Sequence, residues 1–523
     1  MGYKYSQVDR DNIKWMENNN SCNTLVSIHL ESGTIRCLNP FQIDFTYPIT
    51  AIAGANGSGK STILALAACA FHNSKDAFRF PDKKVAYYTY SDFFMGIDEE
   101  NSVEGVTLRY AIRYNRWKRT GEGIGWQTKK KTVGGKWTSY EKRLQRQVAF
   151  FGTQRVVPPY ERSTHKSYRT YFRSDKAGLT EWNRVAELAG KILGKSYTAV
   201  DRWSHSKYIL AKASCGEINY SGFNMGAGEC TVFEILFFLL SKAGRGALLV
   251  IDEIELCLHE QAQRRFIDVL KDICKECYCQ IICTTHSHAI LDSLPPEGRI
   301  FIDSLNSNTA ILPGITAEWA CGTLAGRNTA ELHILVEDEI AELVLVNCLS
   351  HEHRKRVNIH PIGSSNAILR VLAGQYALGK NNYIAILDGD KQSSHQSNIS
   401  TIQKSSECSN DAEKDALKTW ATAKLFYLPG NTWPEKYIIS KAIAIQDKKE
   451  LCISFGMQST YLLEKYLNDA IAAGKHEEFD TLAKNLDLNK SSVINDIVKF
   501  VKANTTEFEE IIEKISTTLS HLQ

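Results

Sequence analysis

The sequence predicts an α/β protein in which two parallel-sheet domains follow one another and a set of helices closes the chain. Three observations carry this. The apolar run "ITAIA" leads into the glycine-rich turn "GANGSGKST" (54–62), which opens the helix-like segment "ILALAACAF". A second apolar run in the first half, "GALLVIDEIE", ends in adjacent acids. In the second half, "LHILVEDE" and "NNYIAILDGD" repeat that design, with helix-like segments between them. Buried apolar strands alternating with helical segments imply parallel sheets, whose ligand sites lie at the strands' carboxyl ends.

The 523 residues are enough for two to four domains with real cores. Hydrophobic residues make up 43% and charged residues 23%, as in an ordinary globular protein. The longest apolar stretch, "VFEILFFLL", contains Glu234 and is too short to cross a bilayer. The first residues show no apolar signal segment, and the lipidation spacing of Gly2 and Ser6 has no second membrane signal, so a cytoplasmic chain is expected. Fourteen cysteines, several in apolar surroundings, suit free thiols in a reducing compartment. Cys274, Cys277, Cys279 and Cys283 run from a helix end into a strand, whereas zinc ligands favour knuckles and loops; they read as packing residues.

Net charge is only +3, so the distribution matters more. Between Arg113 and Arg146 stand eleven Lys or Arg against Glu122 and Glu141, with Trp117, Trp126 and Trp137 interleaved. This basic, β-rich insertion (about 100–150) reads equally as a nucleic-acid contact and as a solvated antiparallel ribbon with its tryptophans inward.

"GANGSGKS" fits G-x-x-x-x-G-K-[ST]. Gly54, Asn56, Gly57 and Gly59 let consecutive N–H groups face phosphates. Lys60 reaches the terminal phosphates of ATP, Ser61 ligates Mg2+, and Thr62 continues the helix whose positive end adds to the site. Asp252, closing "ALLVI", supplies the second magnesium ligand, and Glu253 orients or deprotonates the attacking water. "NMGAGEC" places Gly226, Gly228 and Glu229 at another helix start, and "IICTTH" ends a strand with His286 placed to sense a γ-phosphate.

In the second half, Glu337 ends one strand, and Asp388 and Asp390 flank Gly389 at the end of another. Three carboxylates in one pocket repel unless cations join them. Mg2+ takes such oxygens and can activate water against a phosphodiester. A surface turn and a helix-capping acid are the plain alternative.

The order of P-loop, glycine signature, Asp-Glu strand and Thr-His resembles the ABC-type ATPase superfamily in its RecF/SMC-like branch. "IDEIELCLHE" resembles I-D-E-P-E-x-x-L-H-P, and no heptad arm separates Lys60 from Asp252. The resemblance implies a homodimer through ATPase heads, with each signature loop meeting its partner's ATP. This signature departs from S-G-G-[QE], since Gly226 and Ala227 stand where the serine and first glycine belong. Gln154 is the candidate for the glutamine loop. "LVED" and "LDGD" resemble a TOPRIM domain, a Rossmann-like nuclease fold. The match implies Glu342 as a further acid, Gly363 as the glycine after the second strand and Glu435 as another metal ligand. The expected layout is an ABC-type ATPase domain over 1–325, a TOPRIM domain over 326–440 and attached helices over 441–523. That arrangement resembles the OLD (overcoming lysogenization defect) family. It implies an ATP- and Mg2+-dependent DNA endonuclease, with Mn2+ or Ca2+ as alternative metals. It also implies DNA as target, assembly as a dimer or higher oligomer, and antiphage work of Gabija-like or retron-linked kind. The partner would be a reverse transcriptase with its nucleic acid, or a helicase. A RecF/SMC-like DNA clamp that does not cut and an RNA-cleaving toxin subunit are the rivals.

Overall fold

The computed structural model describes residues 3–522 apart from 75–76, 81–82, 96–104, 118–120, 132–136, 139, 154–156, 158–160, 162–168, 176–178, 206–207, 305–308, 327–329 and 407–410; Gln154 lies outside the described residues. The chain divides into two compact units, Tyr3–Arg327 and Asn328–Gln523, the latter with Met1–Gly2. Among the described residues, no helix is long and apolar enough to cross a membrane.

The first unit is organised by a six-stranded sheet. Its order is Ala310–Pro313, Arg299–Asp303, Ile49–Gly54, Gln280–Thr284, Leu248–Ile251 and Val148–Phe151, and only the first strand runs antiparallel. Strands of this kind are covered on both faces, which is why they read as unbroken apolar runs. The alternation then sorts the side chains. Ile52, Val250 and Ile282 face a core shared with the helix Lys60–Ala68. Ala51, Leu249 and Ile281 face the opposite core, formed with helices Leu179–Leu193, Ala227–Leu239 and Glu260–Cys277. The helix Ala227–Leu239 is buried on nearly every side, which accounts for the apolar run within it. Cys274, Cys279 and Cys283 are fully buried, with the first two sulfurs 3.6 Å apart.

A four-stranded antiparallel sheet joins Phe41–Asp44, Thr24–Ser32, Val106–Tyr114 and Gly123–Lys131 in that order. Val106–Tyr114 therefore pairs directly with the N-terminal strand, and Gly123–Lys131 extends the sheet from its other edge. Several cations of the basic segment are consumed internally. Arg143 Nη1 donates to the Cys69 and Tyr88 carbonyls at 2.6 and 3.0 Å. Arg146 binds the Gly246 and Ala247 carbonyls and the Gln280 amide oxygen. Lys129 is only 1% exposed, and burial pulls its ammonium down to about 8. Trp137 stacks on buried Tyr90, while Trp126 stays on the surface under Arg109. Of the two readings of this stretch, the inward-packed ribbon describes Lys129, Arg143, Arg146 and Trp137.

The helix Gln7–Asn18 starts with a capping box of Ser6 and Asp9 and docks on Glu260–Cys277. Asp9 is wholly buried; its carboxylate meets Lys271 Nζ at 2.9 Å and accepts the Tyr47 hydroxyl at 2.9 Å. Burial pushes this carboxyl up, but the Ser6 hydrogen bonds and Lys271 overcome it and hold the group below the usual range. Removing one member of such a pair strands the other charge. Asp9→Ala is expected to destabilise the first unit by about 3–5 kcal/mol, read as a drop in the urea midpoint.

The second unit holds a four-stranded, wholly parallel sheet in the order Val357–Pro361, Leu332–Val336, Tyr383–Leu387, Leu425–Tyr427. In chain order this is 2-1-3-4, so the connection reverses direction between the first and third strands. Leu332, Ile334 and Val336 face a core with helices Glu339–Cys348, Pro434–Ala444, Lys490–Asn504 and Glu509–Leu522. Leu335, Ala385 and Leu387 face helices Ser365–Ala377, His395–Lys404 and Asp411–Thr422. The closing helices thus complete one layer of this sheet.

Candidate functional site

The nucleotide site is built at the carboxyl ends of three adjacent strands. Ile49–Gly54 is buried along its length, and the loop after it reaches the helix through Gly59, whose φ of +95° suits glycine. A side chain there would also strike Leu38 at 2.4 Å. Lys60 Nζ donates to the Gly54 and Ala55 carbonyls at 2.8 and 2.9 Å, arching back over the loop. Burial lowers its affinity for the proton, against the pull of Asp252, Glu253 and Glu255. Ala55, Asn56 and Gly57 are exposed, whereas Thr62 is buried.

From Leu248–Ile251, the next strand but one, Asp252 presents both carboxylate oxygens 3.3 Å from Ser61 Oγ. A serine hydroxyl beside an aspartate is the oxygen donor set that Mg2+ takes, so the residues fit the ion. Glu253 follows in the left-handed region at φ +54°, uncommon for this residue type. From the strand between them, Thr284 Oγ1 donates to Asp252 Oδ1 at 2.7 Å and accepts the Glu253 N–H at 2.7 Å. His286 is exposed, and its N–H donates to Glu255 Oε1 at 2.6 Å. Burial and then the Lys60 charge lower the His286 imidazole below its ordinary value, against three nearby acids. Thr284 and Glu255 are functional neighbours that the sequence reading did not single out. Glu255 stands at the second glutamate of the I-D-E-P-E pattern, to which that reading attaches no role, and the role of Thr284 arises only when the strands pair.

The signature segment is shaped differently from a free anion site. Gly226 caps the helix, and a side chain on Gly228 would come within 2.3 Å of the Cys257 carbonyl. Gly228 therefore allows close packing against the loop beyond Glu253. Glu229 is 8% exposed and is held by the Tyr197 and Tyr220 hydroxyls and by Lys195.

In the second unit, Glu337 and Asp388 extend from neighbouring strands at the reversal point of the sheet, where ligands of such folds bind. The Asp388 N–H donates to Glu337 Oε1 at 3.1 Å. The turn Gly389–Ser394 carries Asp390, whose Oδ2 lies 3.2 Å from Lys391 Nζ. Glu435, in the first turn of Pro434–Ala444, is 1% exposed, and its Oε1 lies 2.9 Å from His476 Nδ1. Burial, then the charges of Glu337, Asp338, Asp390 and Glu435, push the Asp388 carboxyl up to about 8. Burial likewise raises Glu337, with the Asp388 N–H and Lys391 opposing. Asp338, which caps Glu339–Cys348 by accepting the Ala341 N–H, belongs to this electrostatic group. Glu342 lies in the first turn of that helix. The Gly363 N–H donates to the Glu337 carbonyl, which anchors the neighbouring loop.

Asp388 Oδ1, Asp390 Oδ1 and Glu435 Oε2 are buried oxygens without a hydrogen-bond partner. Among the described residues, no three His, Cys, Asp or Glu side chains stand in a ready-made metal-binding group. Buried carboxylates this close demand a proton or a cation. The raised Asp388 answers with the proton.

Residues 30–156 match the AAA domain family, and residues 207–291 match the AAA ATPase domain family. Among curated proteins none matches. Similar solved structures include the SMC head domain from Thermotoga maritima: 15% identity, 55% of this chain and 98% of that chain, TM-score 0.33. They also include an Smc head domain with an extended coiled coil bound to the C-terminal domain of ScpA, derived from Pyrococcus furiosus: 13% identity, 58% and 99% covered, TM-score 0.37. An SmcHead bound to the C-winged helix domain of ScpA matches at 15% identity, with 55% and 98% covered and a TM-score of 0.37. The two sequence matches identify a P-loop ATPase domain in the first unit, with the nucleotide binding that such domains perform.

Proposed function

We propose that this chain is an ATP-binding, Mg2+-dependent DNA endonuclease of OLD type, with an ABC-type ATPase unit governing a TOPRIM-like cutting unit. The observation that carries the cutting half is the set of buried, unpartnered oxygens on Asp388, Asp390 and Glu435 beside Glu337. A carboxylate group of this kind is poorly suited to packing alone, because each unpaired buried oxygen is costly. Glu337, Asp388 and Asp390 hold the metal, and Glu435 closes the pocket from the helical layer. Mg2+, when bound there, activates water and stabilises charge on the phosphodiester oxygens. Lys391 lies beside Asp390, where its ammonium holds that carboxylate in place and can meet a phosphate.

In the ATPase unit, Lys60 and the glycine loop bind the phosphates, Ser61 and Asp252 hold Mg2+, Glu253 orients water and His286 senses the γ-phosphate. Head-to-head dimerisation would complete each site, and antiphage defence with a nucleic-acid-bearing partner is the setting that the family resemblance implies. A second reading, an ATP-driven DNA clamp, is compatible with the P-loop ATPase domain of the first unit.

Plasmid DNA and total RNA, each incubated with Mg2+ or Mn2+ and with or without ATP, separate the readings. Metal-dependent nicking of plasmid is the expected result. Retention of DNA on ATP addition without cutting would establish the clamp, and RNA loss with intact plasmid would establish the toxin.

A further inference from the structure

Thr284 is fully buried at the end of its strand, yet its side chain is turned entirely toward the acidic residues of the next strand. Its hydroxyl has one proton, which goes to Asp252 Oδ1 at 2.7 Å; a lone pair of the same oxygen takes the Glu253 N–H at 2.7 Å. The Thr284 carbonyl accepts the Ile254 N–H at 3.1 Å. One residue therefore grips three successive positions of the neighbouring strand end. The following residue, Thr285, donates its N–H to the Ile52 carbonyl of the P-loop strand at 3.0 Å. Glu253 leaves the sheet at φ +54°, so its N–H has no ladder partner and depends on this hydroxyl.

We infer that Thr284 is a positioning residue for the nucleotide reaction, fixing the carboxylate of Asp252 toward Ser61 and the backbone of Glu253 in its left-handed turn. The hydroxyl occupies one side of Asp252 Oδ1. The carboxylate is thus held where both of its oxygens lie 3.3 Å from Ser61 Oγ, the pair that would face Mg2+. Nothing about Thr284 requires it to touch nucleotide. Its effect passes through the rotamer of one acid and the backbone of the next. The inference rests on the nucleotide site alone and is independent of the cutting unit.

The test uses the full chain and a fluorescent ATP analogue. Thr284→Val keeps the shape and removes the hydroxyl. A hydrogen bond to a charged group, once lost, corresponds to a change of about tenfold or more. For Thr284→Val, the Mg2+ concentration giving half of the metal-dependent gain in analogue affinity is expected to rise about tenfold. Turnover should fall by about tenfold or more, while affinity measured in EDTA stays at the wild-type value. Thr284→Ser, which restores the hydroxyl, should return the midpoint to within about twofold. If Thr284→Val does not fold, Thr284→Ala is read in the same way. A wild-type Mg2+ midpoint in the hydroxyl-free variant overturns the inference, as does Thr284→Ser behaving like valine. Loss of affinity in EDTA in parallel with stability also overturns it, by showing a purely structural role. Failure of the wild-type chain to bind the analogue at all would instead refute the nucleotide site.

Discussion

Asp388→Ala is expected to abolish plasmid nicking while leaving ATP binding intact and, in metal-free buffer, to make the chain more stable. The reasoning starts from its surroundings. The side chain is 7% exposed, Oδ1 has no partner, and four other acids act on it. Its backbone N–H still donates to Glu337 after the substitution, so the junction of the two strands survives. What disappears is a buried carboxyl among like charges. Near neutral pH the group is held largely protonated at the expense of folding, and removing that cost is worth about 1 kcal/mol or more. Asp→Ala removes little volume, so the compensating cavity term is small. In EDTA, the variant should melt at or above the wild-type temperature. Millimolar Mg2+ should raise the wild-type melting temperature and leave the variant's nearly unchanged. A ligand at a hundred times its dissociation constant stabilises by about 2.7 kcal/mol. A packing role predicts the reverse pattern: a lower melting temperature for alanine, equal response to Mg2+ and undiminished nicking. Nicking at the wild-type rate by a pure Asp388→Ala preparation would remove the endonuclease reading.

The contrast between Asp388 and Thr284 shows what a linear sequence exposes. Strands such as Ile49–Gly54, Leu248–Ile251 and Tyr383–Leu387 are legible because burial on both faces forces an unbroken apolar run, and the residue ending each run is then chemically conspicuous. Gly59, Lys60, Ser61 and Asp252 come from such strand ends, so motif spacing finds them. Residues whose role depends on which strands become neighbours leave no such trace. Thr284 bridges Asp252 and Glu253 only because Gln280–Thr284 pairs with Leu248–Ile251. His476 likewise reaches Glu435 only through tertiary packing, 41 residues along the chain. The basic segment shows the converse. Its charge density reads as a surface property, but Arg143 and Arg146 turn inward to backbone carbonyls, a choice made by tertiary packing. Glu229 is a third instance. Beside a glycine turn at a helix start it suggests an anion site, yet two tyrosines from the adjoining segments hold it.

Glu253→Gln is expected to bind ATP about as well as the wild-type chain and to hydrolyse it about 10²–10⁴-fold more slowly, the span that a positioned general base supplies. Two acids compete for this role. Glu255 accepts the His286 N–H through Oε1, and its Oε2 is buried without a partner. It is therefore committed to holding the histidine segment. Glu253 is held by its backbone instead: its N–H is fixed by Thr284, its turn is left-handed, and no hydrogen bond ties down its carboxylate among those of the described residues. A carboxylate anchored from behind and free in front is the one able to orient water. Gln keeps the size and removes the charge and the basicity, so binding through Lys60 and the glycine loop should persist. Glu255→Gln should retain turnover to within about tenfold, because an amide oxygen can still accept the His286 N–H. Single-turnover hydrolysis and analogue binding on both variants decide the matter. Loss of turnover in Glu255→Gln, with Glu253→Gln active, would transfer the role to Glu255 and make the left-handed turn at Glu253 a feature of packing.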